Sequence, residues 1–352
     1  MLPSSDSLSP LPDDLASRPA EPATPEEEAP PPPVGAIPLA SLATLAAQGQ
    51  RRAAWRLLHW IGEGDWDAID AVIMFPQGRL LTLLLEWLAL GTWASKPFQV
   101  PKPMRQPSFR AKVHMLFLPG VGAPEELARE VLCAGLRDAR PEVRETAAYL
   151  LGLQSYPPAA PDLIEALRDP APGVRVQAAK ALGRLCVPEA APALVQTLSF
   201  HDDALASQAR QALLQLGPPA LPPLMAAARS PDAWVRWHAL RALGELHDRR
   251  AVPVLVEALA DNDHAVAWMA ARKLAPFGTP AVEPVLRLLI KTPATPWLME
   301  TAAYVLRMQH DQQLKRLLRP VVRSMHSAGY RVEMPLAVQH ALRQLAQGAA
   351  GG

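Results

Sequence analysis

Cysteine is scarce in this sequence: Cys133 and Cys186 are the only two in 352 residues. They form no C-x-x-C pair, which argues against a thiolate zinc site, and one possible bridge is no disulfide framework for so long a chain. Both read as small apolar core residues in a reducing compartment. Aromatic residues are few as well, 5% against 49% apolar residues overall. Alanine and leucine carry the hydrophobicity, a mixture that favours helices over sheets. There is no excess of one charge: 35 basic and 34 acidic residues leave a net +1. That balance makes no electrostatic case for nucleic acid or an anionic membrane as the main partner. The longest apolar stretch, residues 80–93, is interrupted by Glu86. It falls short of the roughly 20 residues a membrane helix needs, so it reads as a buried helix. The first residues show neither the basic nor the apolar region of a secretory signal, and a soluble, cytoplasmic protein is expected. P-loop, G-x-G-x-x-G, G-x-S-x-G and H-E-x-x-H patterns do not occur. No cofactor or metal is expected.

Residues 1–38 hold 11 prolines, seven acids and one arginine. Such a segment cannot bury enough apolar surface to offset its ordering entropy, which predicts a disordered tail with polyproline character. Residues 39–94 read as a divergent helical cap whose tryptophans, Trp55, Trp60, Trp66, Trp87 and Trp93, pack into its core. Between residues 95 and 112, four prolines (Pro97, Pro101, Pro103, Pro107) forbid a regular helix. Lys96, Lys102, Arg105, Arg110 and Lys112 make this a basic loop. Residues 113–348 read as a repeat array.

The repeat is visible by eye. VRETAAYLLGL from Val143 is followed by VRVQAAKALGRL from Val174 and LASQARQALLQL from Leu205. VRWHALRALGEL from Val235, VAWMAARKLAPF from Val266 and WLMETAAYVLRM from Trp297 complete six copies about 31 residues apart, and MPLAVQHALRQL from Met334 is a weaker seventh. Taking the first residue of each copy as its anchor, apolar residues recur four, eight and eleven positions on, one face of a helix. On this count Trp297 is a core residue. A second, shorter helix precedes each anchor, and turn signals such as Asp169-Pro170 separate the two. A helix pair buries one face of each helix and stacking buries the rest, so the fold is an all-α superhelix, a solenoid. Gly152, Gly183 and Gly244 share one position, nine past the anchor. They suit the close approach of a neighbouring helix or an early helix end.

The pattern D-x-x-x-x-V-R-x-x-A-A-x-A-L-G-x-L, clearest at Asp138 to Leu153 and Asp169 to Leu185, resembles the HEAT-like repeats of the phycobilisome-lyase type. The resemblance implies a binding protein whose second helices line a concave surface. It also implies a ladder between an Asp in the turn and an Arg early in the second helix, here Asp138 with Arg144 and Asp169 with Arg175. Ala206, Ala267 and Leu298 stand where other copies carry Arg, so the ladder is expected to break in the second half. Bilin lyases share this repeat, which makes attachment or chaperoning of a tetrapyrrole the alternative function. Deoxyhypusine hydroxylase is similar in repeat design but uses His-Glu pairs. This sequence has His201-Asp202, His247-Asp248 and His310-Asp311 instead, read here as solvated loop residues.

At 100° per residue, positions two and six past the anchor point away from the apolar face. In the fourth and fifth copies they are Trp237 and Arg241, then Trp268 and Arg272, with His238 and Met269 beside them. Tryptophan and arginine are enriched at binding hot spots. These six residues are the expected contact surface of a non-catalytic scaffold for another protein.

Overall fold

Helices begin and end in this chain where capping residues and prolines permit. The computed structural model describes residues 37–94, 96–97, 113–117 and 125–350. The tail up to residue 36 and most of the basic loop lie outside the described residues. Leu39 onward forms one compact unit.

Four helices make the N-terminal part: α1 Leu39–Ala47, α2 Arg51–Glu63, α3 Trp66–Ile73 and α4 Arg79–Leu90. Gly64 ends α2 in the left-handed region, at φ 85°, where its N–H reaches back to Ile61. A glycine adopts that conformation without the penalty a Cβ brings. A short antiparallel pair, β1 Thr92–Trp93 with β2 Lys96–Pro97, follows α4. Trp93 is fully buried, and its indole N–H donates to the Ala46 carbonyl at 2.7 Å. Trp55, Trp60 and Trp87 are also core, but Trp66 is 66% exposed. Trp66 opens α3 directly after its Asp65 cap, so its side chain starts outside the helix bundle.

The array consists of paired helices. The first member of each pair is α5 Glu125–Gly135, α7 Ala160–Ala166, α9 Ala191–Gln196, α11 Leu221–Ala227, α13 Val252–Glu257, α15 Thr279–Lys291 or α17 Gln312–Ser324. Their partners are α6 Pro141–Gln154, α8 Pro172–Leu185, α10 Asp203–Leu216, α12 Ala233–Leu246, α14 His264–Leu274, α16 Pro296–Arg307 and α18 Tyr330–Ala350. Proline-led 3-10 turns, such as Pro157–Ala159 and Pro188–Ala190, feed the chain into the short first helices. The second helices from α6 to α16 stack on one another, and α4 packs against α6 so that the N-terminal helices cover the first apolar face. The protein is an all-α solenoid.

The shared glycine makes the stacking close. A Cβ on Gly152 would lie 2.9 Å from both Cα and Cβ of Ala181, and one on Gly183 would lie 2.9 Å from the Ala212 Cα. Both neighbours belong to the next second helix, seven residues past its anchor. At the same position Gly244 faces the Lys273 side chain.

The ladder runs differently from the expected pairing. Arg144 donates Nε and Nη2 to Asp169 at 2.6 and 2.9 Å, and Nη1 to the Asp138 and Ala139 carbonyls. Each Arg thus reaches forward to the next turn's Asp and takes only backbone oxygens from its own. Arg175 likewise holds the Asp169 and Pro170 carbonyls, stands 3.6 Å from Asp202 and lies over the Phe200 ring. Asp138 pairs with Arg140, which also reaches Glu86 on α4. The ladder does not stop at the third copy. His201 Nε2 meets Asp232 at 2.7 Å where an Arg is missing, and Arg236 grips Asp261 with two bonds of 2.8 Å.

Besides Trp66, three residues expected in the core are not buried. Cys186 is exposed and Cys133 half-buried. Cys186 caps α8 in the left-handed region, which turns its side chain out. Trp297 is 39% exposed, while Leu298 is fully buried. Asp202, Asp232 and Asp263 cap their helices three residues before Leu205, Val235 and Val266. Thr295 caps α16 three residues before Leu298, accepting from its N–H. Counted from the cap, the sixth anchor is Leu298, one residue later than a constant period suggests.

Candidate functional site

Helices α12 and α14 present the residues singled out as a contact surface. Val235, Ala239 and Leu243 fix α12 in the core, and Val266, Ala270 and Leu274 do the same for α14. Trp237 and Trp268 each sit two residues past an anchor, and both are half-buried. Met269 is half-buried and Arg272 exposed.

His238 is not part of that surface. It is 5% exposed, with its ring 4.4 Å from Trp234 and edge-on to Trp237 at 4.8 Å. Neither ring nitrogen has a hydrogen-bond partner. Burial holds its pKa below the usual histidine range, aided by the charges of Arg241 and Arg210 and opposed by Asp203. The ring is therefore a neutral core group one step in from the surface.

The structure does not bring Trp237 and Trp268 into ring contact with each other. Each anchors its own group. Around Trp237 the rings run in sequence: His201 stacks on Trp234 at 5.6 Å, Trp234 meets His238, and His238 meets Trp237. The Arg241 guanidinium lies over Trp237, 5.6 Å from the ring centre. Arg241 is also held by Glu245 at 3.3 Å. Glu245 takes Arg210 of α10 at 2.5 Å and Lys273 of α14 at 2.9 Å, so one carboxylate ties three second helices. Burial raises the Glu245 pKa, but Lys273 and Arg210 outweigh it and leave the group below its ordinary value.

Around Trp268 the indole N–H meets His264 Nε2 at 2.9 Å, and the ring packs edge-on to Tyr304 at 5.5 Å. Tyr304 lies six residues past Leu298, so the corrected register places it in the outward row. A constant period puts Ala303 there, and Ala303 is buried. Trp234, His201 and Tyr304 are the members of this surface that counting from anchors misses. Trp234 and His238, four residues apart on one helix, carried a signal for contact.

The remaining pairs have local roles. Exposed His247 stacks on Phe277 at 4.5 Å, and His310 is exposed. Among the described residues, no group of three or more His, Cys, Asp or Glu is placed to hold a metal, and no helix is long and apolar enough to cross a membrane.

Residues 129–214 and 221–307 match the family described as HEAT repeats. No curated protein matches the chain. Among solved structures, an engineered protein is 20% identical, with 87% of this chain and 88% of that one covered and a TM-score of 0.36. Importin beta is 13% identical over 86% of this chain and 45% of its own, with a TM-score of 0.47. The complex of CpcE and CpcF of phycocyanin lyase from Nostoc sp. PCC7120 is 21% identical over 69% of this chain and 91% of that one, with a TM-score of 0.30. These are likenesses of fold alone.

Proposed function

Because this chain is a HEAT-repeat protein, we propose that it is a non-catalytic scaffold that holds a partner protein on the concave face formed by its second helices. The site centres on Trp237, Trp268 and Arg272, with Arg241, Met269 and Tyr304 alongside. The observation that carries this reading is the phase of the two tryptophans. They occupy one outward position on adjacent helices, half-exposed, where core packing does not require them. A large ring held rigid by its neighbours gives contact area at little entropic cost. His238 supports Trp237 from beneath, and Glu245 fixes Arg241 over it.

The test is affinity capture from the native host with the wild-type chain and a Trp237→Ala, Trp268→Ala variant shown to be folded. Hot-spot tryptophans cost about 2 kcal/mol each when truncated, roughly thirtyfold in affinity. At least one protein held by the wild type is expected to be lost from the variant, and an identical retained set sinks the site. The likeness to the phycocyanin lyase complex brings no pigment chemistry to this chain. A bilin incubated with the purified protein is expected to keep its free absorption spectrum. A red shift with retained pigment replaces the scaffold reading with the lyase one.

A further inference from the structure

Arginines in the first six repeats are largely neutralised by acids. Along the chain the last ion pair among the described residues joins Arg287 to Glu283. Beyond it the charge balance changes: residues 301–352 hold seven Lys and Arg against two Asp and Glu. One of the two acids, Asp311, is occupied as the cap of α17, accepting from the Gln313 and Leu314 N–H groups.

Helix α17 sorts its residues by face. Leu314, Leu318, Val321 and Met325 are buried, at helical spacings of four, three and four. Lys315, Arg319 and Arg323 form an exposed row with Arg316 beside it. Like charges four residues apart destabilise a helix, so the row is no device for stability. It opens onto a shallow groove of about 500 Å3 whose cationic walls also include Arg307. Half-buried Val322 gives the groove an aliphatic floor, with Leu306 and Leu318 buried directly behind it. Arg307 is aimed by His326: its guanidinium can only donate, so His326 Nε2 accepts it at 3.3 Å while Nδ1–H donates to the Val322 carbonyl at 2.9 Å. A second depression shares Arg319 and Arg323, adds Arg316, and contains the other acid, Glu333.

We propose that this groove binds an extended acidic segment of a partner protein, one with aliphatic residues among its carboxylates. Cations four apart on a helix rise about 6 Å per step. Alternate residues of an extended strand advance about 6.6 Å, so successive carboxylates can meet successive cations. The aliphatic floor takes the apolar side chains between them. Single-stranded nucleic acid is a poorer fit, since its binders stack bases on aromatic rings. No Phe, Tyr or Trp lines the groove among the described residues, and the one ring there, His326, is engaged by Arg307 and the Val322 carbonyl. A membrane surface fits less well again, because the apolar face of α17 that would enter lipid is buried in the fold. The groove shares no lining residue with the tryptophan surface and adds a second docking point to the solenoid.

The test is fluorescence anisotropy of a labelled peptide of alternating glutamate and leucine titrated with the full chain. Labelled oligothymidylate and phosphatidylserine vesicles serve as competing probes. The peptide is expected to bind saturably and more weakly as salt rises. An Arg319→Glu, Arg323→Glu variant should bind it at least about tenfold more weakly. Both positions are exposed, and an Arg319→Gln, Arg323→Gln variant with unchanged helix content checks that the loss is one of charge. The Trp237→Ala, Trp268→Ala variant should bind the peptide like the wild type, so failure of one site is distinguishable from failure of the other. No saturable peptide binding, equal binding by the charge-reversed variant, or tighter binding of oligothymidylate or vesicles overturns the proposal.

Discussion

Replacing Arg144 by alanine should cost far more than its place near the surface suggests. The side chain makes four hydrogen bonds, two to the Asp169 carboxylate and two to carbonyls of its own turn. Arg144 and Asp169 are only 13% and 9% exposed. Removing one partner of a buried pair costs about 3–5 kcal/mol, and the residual exposure here reduces that to about 2–4 kcal/mol. The four bonds break together, so their separate values do not add. The His201–Asp232 rung is the internal control. Its side chains are 55% and 33% exposed, so solvent screens the pair and its loss costs far less than that of the Arg144 rung. The rung also has a pH signature. Burial raises the Asp169 pKa, but Arg144, the Ala171 N–H and Arg175 outweigh it and hold it below the ordinary carboxylate value. Its contribution is therefore complete above the unfolded pKa, about 4, and is lost as the pH falls through the folded one. The assay is urea unfolding by circular dichroism, paired with amide hydrogen exchange because repeat arrays need not unfold in one step. Exchange in α6 and α8 should accelerate in Arg144→Ala, with α12 and α14 unchanged. The acid-induced loss below about pH 4 should be smaller than in the wild type. Arg144→Ala within about 0.5 kcal/mol of the wild type, or no costlier than His201→Ala, refutes the reasoning.

The cap-based register of the sixth repeat predicts that Leu298→Ala costs about 2–5 kcal/mol and Trp297→Ala under about 1.5 kcal/mol in urea unfolding. The opposite order restores Trp297 to the core. His238, buried with its pKa depressed, takes up a proton more readily when unfolded. It therefore makes the fold lose stability as the pH falls below about 6.5. Between about pH 8 and about pH 5 the urea midpoint of the wild type should fall further than that of His238→Leu, and parallel falls contradict the assignment.

The repeat was legible because its determinants are local. Helix periodicity recurs in the copies, a capping side chain opens the second helix of the third to sixth, and prolines lead the short first helices of several; each constrains the backbone where it stands. The ladder was less legible because it joins copies. Within one copy Asp138 precedes Arg144 by six residues, while Asp169 follows it by 25. Nothing in that spacing reveals that backbone carbonyls take the near side of the guanidinium and leave the carboxylate of the next turn for its other edge. His201 was invisible as a rung because its own chemistry is not arginine's. Only the fold brings it to Asp232. A constant period puts Trp297 in the core, whereas the Thr295 cap marks the shifted start of α16. His238 was misplaced because position three past the anchor lies on the border of the apolar face, where a Trp four residues back decides which side it falls on.

The same borders make the solenoid uneven where the proposed partner surface begins. Two features hold neighbouring second helices together at the first joints: the glycine that admits close contact and the buried Arg–Asp rung. Between α10 and α12 both lapse at once. Leu214 stands at the position of Gly152 and Gly183, and Ala206 at that of Arg144 and Arg175. The two helices accordingly approach each other less extensively than α6 and α8, or α8 and α10. The joint is held instead by the exposed His201–Asp232 pair and by Arg210 on Glu245. Glu245 is also the group that positions Arg241 over Trp237. Glu245 thus serves both ends: through Arg210 it helps replace close helix contact at this joint, and through Arg241 it orients the first tryptophan of the outward row.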